Sequence, residues 1–332
     1  MKKTKVICIG EALIDRIKNK SNQEFTDFLG GAPANVACAL SKLKIDSVFV
    51  GRVGSDEFGK KFIEKFNELG VDINFLQLDE NLPTRIVKVN RDNYGDRYFS
   101  GFVTTSKTDF ADEALDKNLI SDDIEKLKKT FIETKYIVLG TIILSSKISS
   151  EFIHFFLNLA KQFDIKIIID INWREVFWDH SSFSSCIHKK ERVKLIKSFL
   201  NHAHLLKLAN EEAILFFEDK DPLLISKKFV NRPDVIITDG GNPISWFING
   251  IEGLTPTYNS TKVVDTTGAG DAFLAGLISK LTTLNYPVKQ LEIQKCVQFA
   301  SACGLLTCLG EGAIDQQPDY EKVNQFLGSQ IL

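Results

Sequence analysis

The stretch Val263–Gly276, VVDTTGAGDAFLAG, sets two aspartates among three glycines and then continues as a helical pattern. Val263 and Val264 are read as the end of a strand, and Thr266 and Thr267 as a turn. Gly268-Ala269-Gly270 lets the backbone approach a ligand before a helix begins near Asp271. The unpaired N–H groups of a first helical turn, at the positive end of the helix dipole, form a site for a phosphoryl group or another oxyanion. A carboxylate there repels the anion, so Asp271 has one of two uses: to take a proton from a hydroxyl nucleophile beside the anion, or to cap the helix.

A second glycine-rich stretch, LGGAPANVACAL, places Gly30-Gly31 ahead of a helix that starts at Pro33 or Ala34. Proline in a first helical turn is favourable, and paired glycines leave room for a ligand against the backbone. Asn35 offers both a donor and an acceptor to a polyhydroxylated molecule, and Asp15 in GEALIDRI offers a fixed acceptor for a pair of sugar hydroxyls. A third stretch, GSDEFGKK from Gly54 to Lys61, imitates a phosphate loop but has Lys61 where the Mg²⁺-binding hydroxyl belongs. Asp56, Glu57 and Phe58 also load it with acid and bulk, so it is read as a turn and an N-cap opening a helix from Glu57 to Leu69.

These residues need a frame. KVICIG, DSVFVGRVG, YIVLG, KIIIDIN, LLKLAN and VIITDG read as strands, alternating with amphipathic segments such as DEFGKKFIEKFNEL and EFIHFFLNLAKQF. Continuous apolar strands joined by helices imply an α/β fold with a mostly parallel central sheet covered by helices on both faces. Two regions, about 13–28 and 85–103, alternate polar and apolar residues without intervening helices. They are expected to form a small antiparallel β lid over the strand ends, where open α/β sheets bind ligands.

Composition removes other classes. The 332 residues carry 41 Lys plus Arg against 43 Asp plus Glu, a net charge of −2, which gives no basis for binding nucleic acid or an anionic membrane. The opening MKKTKVICIGEALID has only a short apolar run before Glu11, too short for a signal-peptide core, and a cytoplasmic location is expected. The six cysteines lie mostly in apolar segments without C-x-x-C spacing and read as buried thiols rather than zinc ligands or disulfides.

Together, GGAPANVA with GRVGSDEFG and DTTGAGDAFLAG resemble the two signatures of the PfkB (ribokinase-like) carbohydrate kinases, and within that family the fructokinases most. The resemblance runs from about Val6 to Pro318 and implies one ribokinase-like α/β unit over residues 1–332. It implies ATP- and Mg²⁺-dependent phosphorylation of a sugar, with D-fructose foremost. The alternatives are 2-keto-3-deoxygluconate, another ketose, a nucleoside, or a non-catalytic sugar-binding regulator. Asp271 would be the catalytic base, Gly268, Ala269 and Gly270 the anion hole, and Asp15, Gly30, Gly31 and Asn35 the sugar site. DINWR resembles the family's D-x-N-x-R segment, which puts Asp170, Asn172 and Arg174 near the reaction centre, with Asn172 toward the nucleotide. TDGG would bring Thr238, Gly240 and Gly241 to nucleotide, and LANEE would bring Glu212 to Mg²⁺ through water, with Ala209 where asparagine is usual. Asp265 and Thr267 match the family's monovalent-cation (K⁺) loop, and both also read as turn caps. The resemblance further implies a homodimer paired through the lids, against which stand Lys88, Arg91 and Arg97 on the lid strands.

Overall fold

The computed structural model describes residues 4–18, 24–91, 97–103, 109–121, 123–180, 187–284 and 288–329. In chain order the strands are β1 (Lys5–Ile9), β2 (Leu13–Lys18), β3 (Phe25–Gly30), β4 (Ser47–Gly54), β5 (Asp72–Asp79), β6 (Ile86–Arg91) and β7 (Arg97–Phe102). They continue with β8 (Thr134–Leu139), β9 (Lys166–Asp170), β10 (Leu205–Ala209), β11 (Asp234–Asp239), β12 (Asn242–Ile248) and β13 (Ile251–Thr255). Nine of these form one sheet in the order β13-β12-β11-β10-β9-β8-β1-β4-β5, parallel from β11 through β5 and antiparallel at the β12 and β13 edge.

Alternate residues of one strand feed two different cores. Val6 and Cys8 of β1 pack into one cluster with the helices Ala32–Lys42, Ala269–Thr283 and Gln290–Thr307. Ile7 and Ile9 pack into the other, with the helices Lys147–Ala160, Lys189–Phe199 and Asn210–Phe217. Helices therefore cover both faces, which is why the strands read as unbroken apolar runs. The expected strands recur nearly residue for residue.

The second sheet has four strands in the order β3-β2-β6-β7 and occupies the two regions expected to form the lid. One expectation is corrected here. The lid is not wholly antiparallel, because β2 and β6 pair in parallel, Ile14 opposite Ile86. Both strands follow parallel strands of the main sheet, β1 and β5, and so enter the lid heading the same way. A second correction concerns Val263 and Val264, which form no strand. They are 46% and 52% exposed in a loop where the Val264 N–H donates to the Cys308 carbonyl at 2.8 Å. The side chains of Arg91 and Arg97 lie outside the described residues, whereas Lys88 is exposed. Five of the cysteines are buried and free, as expected; Cys186 lies outside the described residues. Among the described residues no helix is long and apolar enough to cross a membrane.

Candidate active site

The order of the main sheet reverses at β1: the chain builds outward through β4 and β5 on one side and through β8 to β11 on the other. Ligands of open α/β sheets bind at such a switch point, outside the carboxyl ends of the strands. A cleft of about 690 Å³ lies there, lined among others by Asp15 from β2, Asn35, Asn172, Arg174, Lys207 from β10 and Asp271.

Asp271 stands in the first turn of the helix Ala269–Thr283, whose N-cap is Gly268 at φ 74°. Glycine is required there: a Cβ would lie 2.6 Å from that of Ala313, in a left-handed backbone. The Ala269 N–H returns to the Thr266 carbonyl, and the first helical bond is Ala272 N–H to Gly268 O at 2.8 Å. The N–H groups of Gly270 and Asp271 are thus left for a ligand. Asp271 does not cap its own helix. Its Oδ2 accepts a hydrogen bond from Asn35 Nδ2 at 2.8 Å, from a residue 236 positions away. Burial pushes its carboxyl up from 3.8 to about 6, opposed by the Asn35 hydrogen bond, raised further by Asp170 and lowered by Lys207 and Arg174.

Asn35 belongs to the first turn of Ala32–Lys42, with proline beside it as expected, although the helix opens a residue before the anticipated start. Its N-cap, Gly31, has φ 99°, and a Cβ there would strike the Glu11 carbonyl oxygen at 2.5 Å. Glu11 holds this turn from beneath by accepting the Ala32 N–H at 3.1 Å, and burial pushes its carboxyl up to about 8. Gly30 gives room to Asp15, whose Oδ2 would meet a Cβ on it at 2.6 Å.

From the other half of the sheet, Asp170 ends β9 and Asn172 follows it at φ 44°. That left-handed turn aims the DINWR segment across the cleft, where the Arg174 Nη1 donates to the Trp173 carbonyl at 2.9 Å. Glu212 is behind the cleft. Its Oε1 accepts the Trp173 N–H at 2.7 Å and its Oε2 the Ala209 N–H at 2.8 Å, which ties the ends of β9 and β10 together. Asp265 similarly accepts the N–H groups of Thr267 at 3.0 Å and Gly312 at 2.8 Å.

Of the residues expected from the sequence, Asp15, Gly31, Asn35, Asn172, Arg174, Thr267, Gly268, Gly270 and Asp271 line the one cleft. Gly30, Glu212, Asp265, Thr238, Gly240 and Gly241 do not, and neither does Ala269, whose N–H is held by the Thr266 carbonyl and so leaves the expected anion hole. Thr238 is near the end of β11, opposite Ala209 of β10, and Gly240 and Gly241 follow that strand. Sequence reasoning passed over Lys207 and Glu11. The signal for Lys207 was its place in LLKLAN, a charge in an otherwise apolar buried strand. The look-alike phosphate loop is disposed of directly, because the Asp56 carboxylate occupies its own helix N-terminus and accepts the Gly59 N–H at 2.9 Å.

A raised carboxyl beside an open helix N-terminus, in a cleft that also gathers Lys207 and Arg174, defines a small-molecule phosphotransfer enzyme on a ribokinase-like fold. The comparisons with known proteins agree. The chain belongs to the pfkB family of carbohydrate kinases, which matches residues 3–319. It is 30% identical to a probable fructokinase-5 of Arabidopsis thaliana over 94% of each chain. It superposes on the fructokinase of Xylella fastidiosa with bound ATP at a TM-score of 0.85, 24% identity and 100% coverage of both chains. The fructokinase of Vibrio cholerae O395 in fructose, ADP and calcium ion bound form gives 0.80, with 24% identity, 98% of this chain and 100% of that one.

Proposed function

We propose that the protein is an ATP-dependent fructokinase, transferring the γ-phosphoryl group of ATP to a hydroxyl of D-fructose. The observation that carries this reading is the Asp271 carboxyl, pushed up to about 6 beside unpaired helix N–H groups in a cleft shared with Asp15 and Asn35. A base of that strength is ionised near neutral pH and still close enough in pKa to take a hydroxyl proton as the bond to phosphorus forms. Asp15 and Asn35 orient the sugar, and the N–H groups of Gly270 and Asp271, with the Arg174 guanidinium, receive the charge on the phosphoryl oxygens. Thr238, Gly240 and Gly241, at the end of the neighbouring strand, together with Asn172, take the nucleotide.

Mg²⁺ usually keeps several waters and binds one or two carboxylates plus substrate phosphates. Asp170 fits that pattern through water, since its Oδ1 is buried without a hydrogen-bond partner. Glu212, expected beside it, fits less well, because it lies behind the cleft with both oxygens on backbone N–H groups. When bound, the ion neutralises phosphate charge. A monovalent cation at Asp265 and Thr267 fits less well, because both Asp265 oxygens already hold backbone N–H groups, and no step is assigned to it.

The test is a panel of D-fructose, D-glucose, D-ribose, adenosine and 2-keto-3-deoxygluconate with ATP and Mg²⁺, read by ADP release. The highest kcat/KM is expected for fructose, and preference for another acceptor overturns the fructose assignment. Asp271→Asn should then lower kcat by about 10²-fold or more with fructose binding and Tm retained. Turnover within about tenfold of the parent would remove the base role from Asp271.

A further inference from the structure

Lys207 is the middle residue of β10, flanked by Leu206 and Leu208, and it is 7% exposed in a strand whose neighbours β9 and β11 are both parallel to it. A charge in such a strand carries a desolvation cost and needs a reason. Its Nζ donates to Asp170 Oδ2 at 2.9 Å, an ion pair with both side chains under a tenth exposed. Stability is a weak reason for a buried pair, since a well-packed apolar pair is often as good or better. Neither partner is satisfied by the other. An ammonium has three donors, and among the described residues Asp170 is the acceptor recorded for this one; Asp170 Oδ1 has no hydrogen-bond partner. A Cβ built on Gly270 would lie 3.0 Å from the Lys207 Nζ. The ammonium therefore lies against the turn whose free N–H groups face the cleft, and it lines the same cleft as Asp271.

We propose that Lys207 is a further catalytic residue of this site, its ammonium contacting the non-bridging oxygens of the phosphoryl group as it passes between nucleotide and sugar. The proposal rests on the kinase reading above. In the transfer the sugar oxygen forms its bond to the γ-phosphorus, the bond from that phosphorus to the ADP oxygen breaks with the electron pair leaving on ADP, and the hydroxyl proton goes to Asp271. Lys207 keeps its proton throughout. Its fixed charge meets the negative charge spread over the equatorial oxygens, where the low local dielectric gives it most effect. Asp170 holds the ammonium in place beside Gly270, and the flexible lysine stem is locked by the strand around it.

The competing explanation is that Lys207 only neutralises Asp170. Lys207→Met keeps the volume and removes the charge. With fructose, ATP and Mg²⁺, kcat should fall by about 10²–10³-fold, the scale for removing one preorganised donor. Dissociation constants for fructose and ADP should stay within about threefold, while the complex of ADP, aluminium tetrafluoride and fructose, a mimic of the transferring group, weakens as much as kcat falls. A merely structural lysine would not separate the mimic from ADP. If kcat stays within about tenfold of the parent, or the mimic binds as tightly as before, the proposal falls. If Lys207→Met does not fold, Lys207→Ala assayed with and without propylammonium decides: saturable recovery supports the role, and none overturns it. Failure of both variants to fold makes the lysine structural and also overturns it. A parent that phosphorylates no acceptor of the panel overturns the kinase reading instead, which keeps the two failures apart.

Discussion

At the scale of single residues, the contact that matters most joins Asn35 and Asp271. Sequence reasoning gave the first to the sugar and the second to the reacting hydroxyl, and did not link them. The structure does, at 2.8 Å, so that the residue proposed to orient the sugar also lowers the pKa of the proposed base. The free enzyme's kcat/KM should lose about tenfold per pH unit below about 6, as the Asp271 carboxylate takes up a proton. The Asn35 hydrogen bond lowers the Asp271 pKa, so Asn35→Ala should move that limb to higher pH; a limb that stays in place would show the contact to be absent in the working enzyme. The sign for stability is opposite. A carboxyl whose folded pKa is raised favours the folded state when protonated, so its contribution is complete below the ordinary 3.8 and is lost as pH rises through about 6.

Elements decide what the same residue type does. Two helices here open with glycine and an acid close together, Glu57–Leu69 and Ala269–Thr283. In the first, Asp56 is the N-cap itself, and its carboxylate accepts Gly59 N–H, Thr84 N–H and the Thr84 hydroxyl. That filled N-terminus has no place for phosphate. In the second, Gly268 is the cap without a side chain, and Asp271, farther into the first turn, faces another helix instead of its own N–H groups. Asp56→Ala should therefore cost about 1–2 kcal/mol in chemical denaturation, the scale of losing a strong cap, and leave the KM for ATP unchanged. Tighter ATP binding in that variant would revive the phosphate-loop reading. Both sequences were legible to this level because caps and glycine turns are local chemistry.

For the whole molecule, the joint between lid and main sheet holds a buried cluster of charges, Arg85 with Asp112 and Glu113. Arg85, just before β6, is 1% exposed and grips Asp112 through Nε at 2.9 Å and Nη2 at 3.0 Å, with Glu113 at 3.4 Å. Its guanidinium carbon lies over three rings, Phe110 at 4.5 Å and Phe102 and Phe177 each at 5.0 Å. Phe102 ends β7 of the lid and Phe177 lines the cleft, so one side chain couples lid, body and site. Arg85→Leu strands two buried carboxyls and should cost about 3–5 kcal/mol by urea unfolding. A loss below about 1 kcal/mol would mean that the cluster is already relaxed by protonation or water.

The sequence by itself determined the parallel sheet, its helical covering, the lid regions and both glycine-rich turns. Each is written in local periodicity, or in residues such as Gly31 and Gly268 whose backbone few others can adopt. It missed β5, β12 and β13, whose polar and apolar residues mix at the sheet margins, and it made a strand of Val263-Val264, an apolar pair with no ladder to join. Tertiary structure alone decided the partners: Asn35 on Asp271, Lys207 on Asp170 and against Gly270, and Glu212 across the ends of β9 and β10. These meet because strands far apart in the chain end side by side at the switch point, and the Asp271 and Glu212 carboxyls are pushed up only when the closing fold removes the water around them.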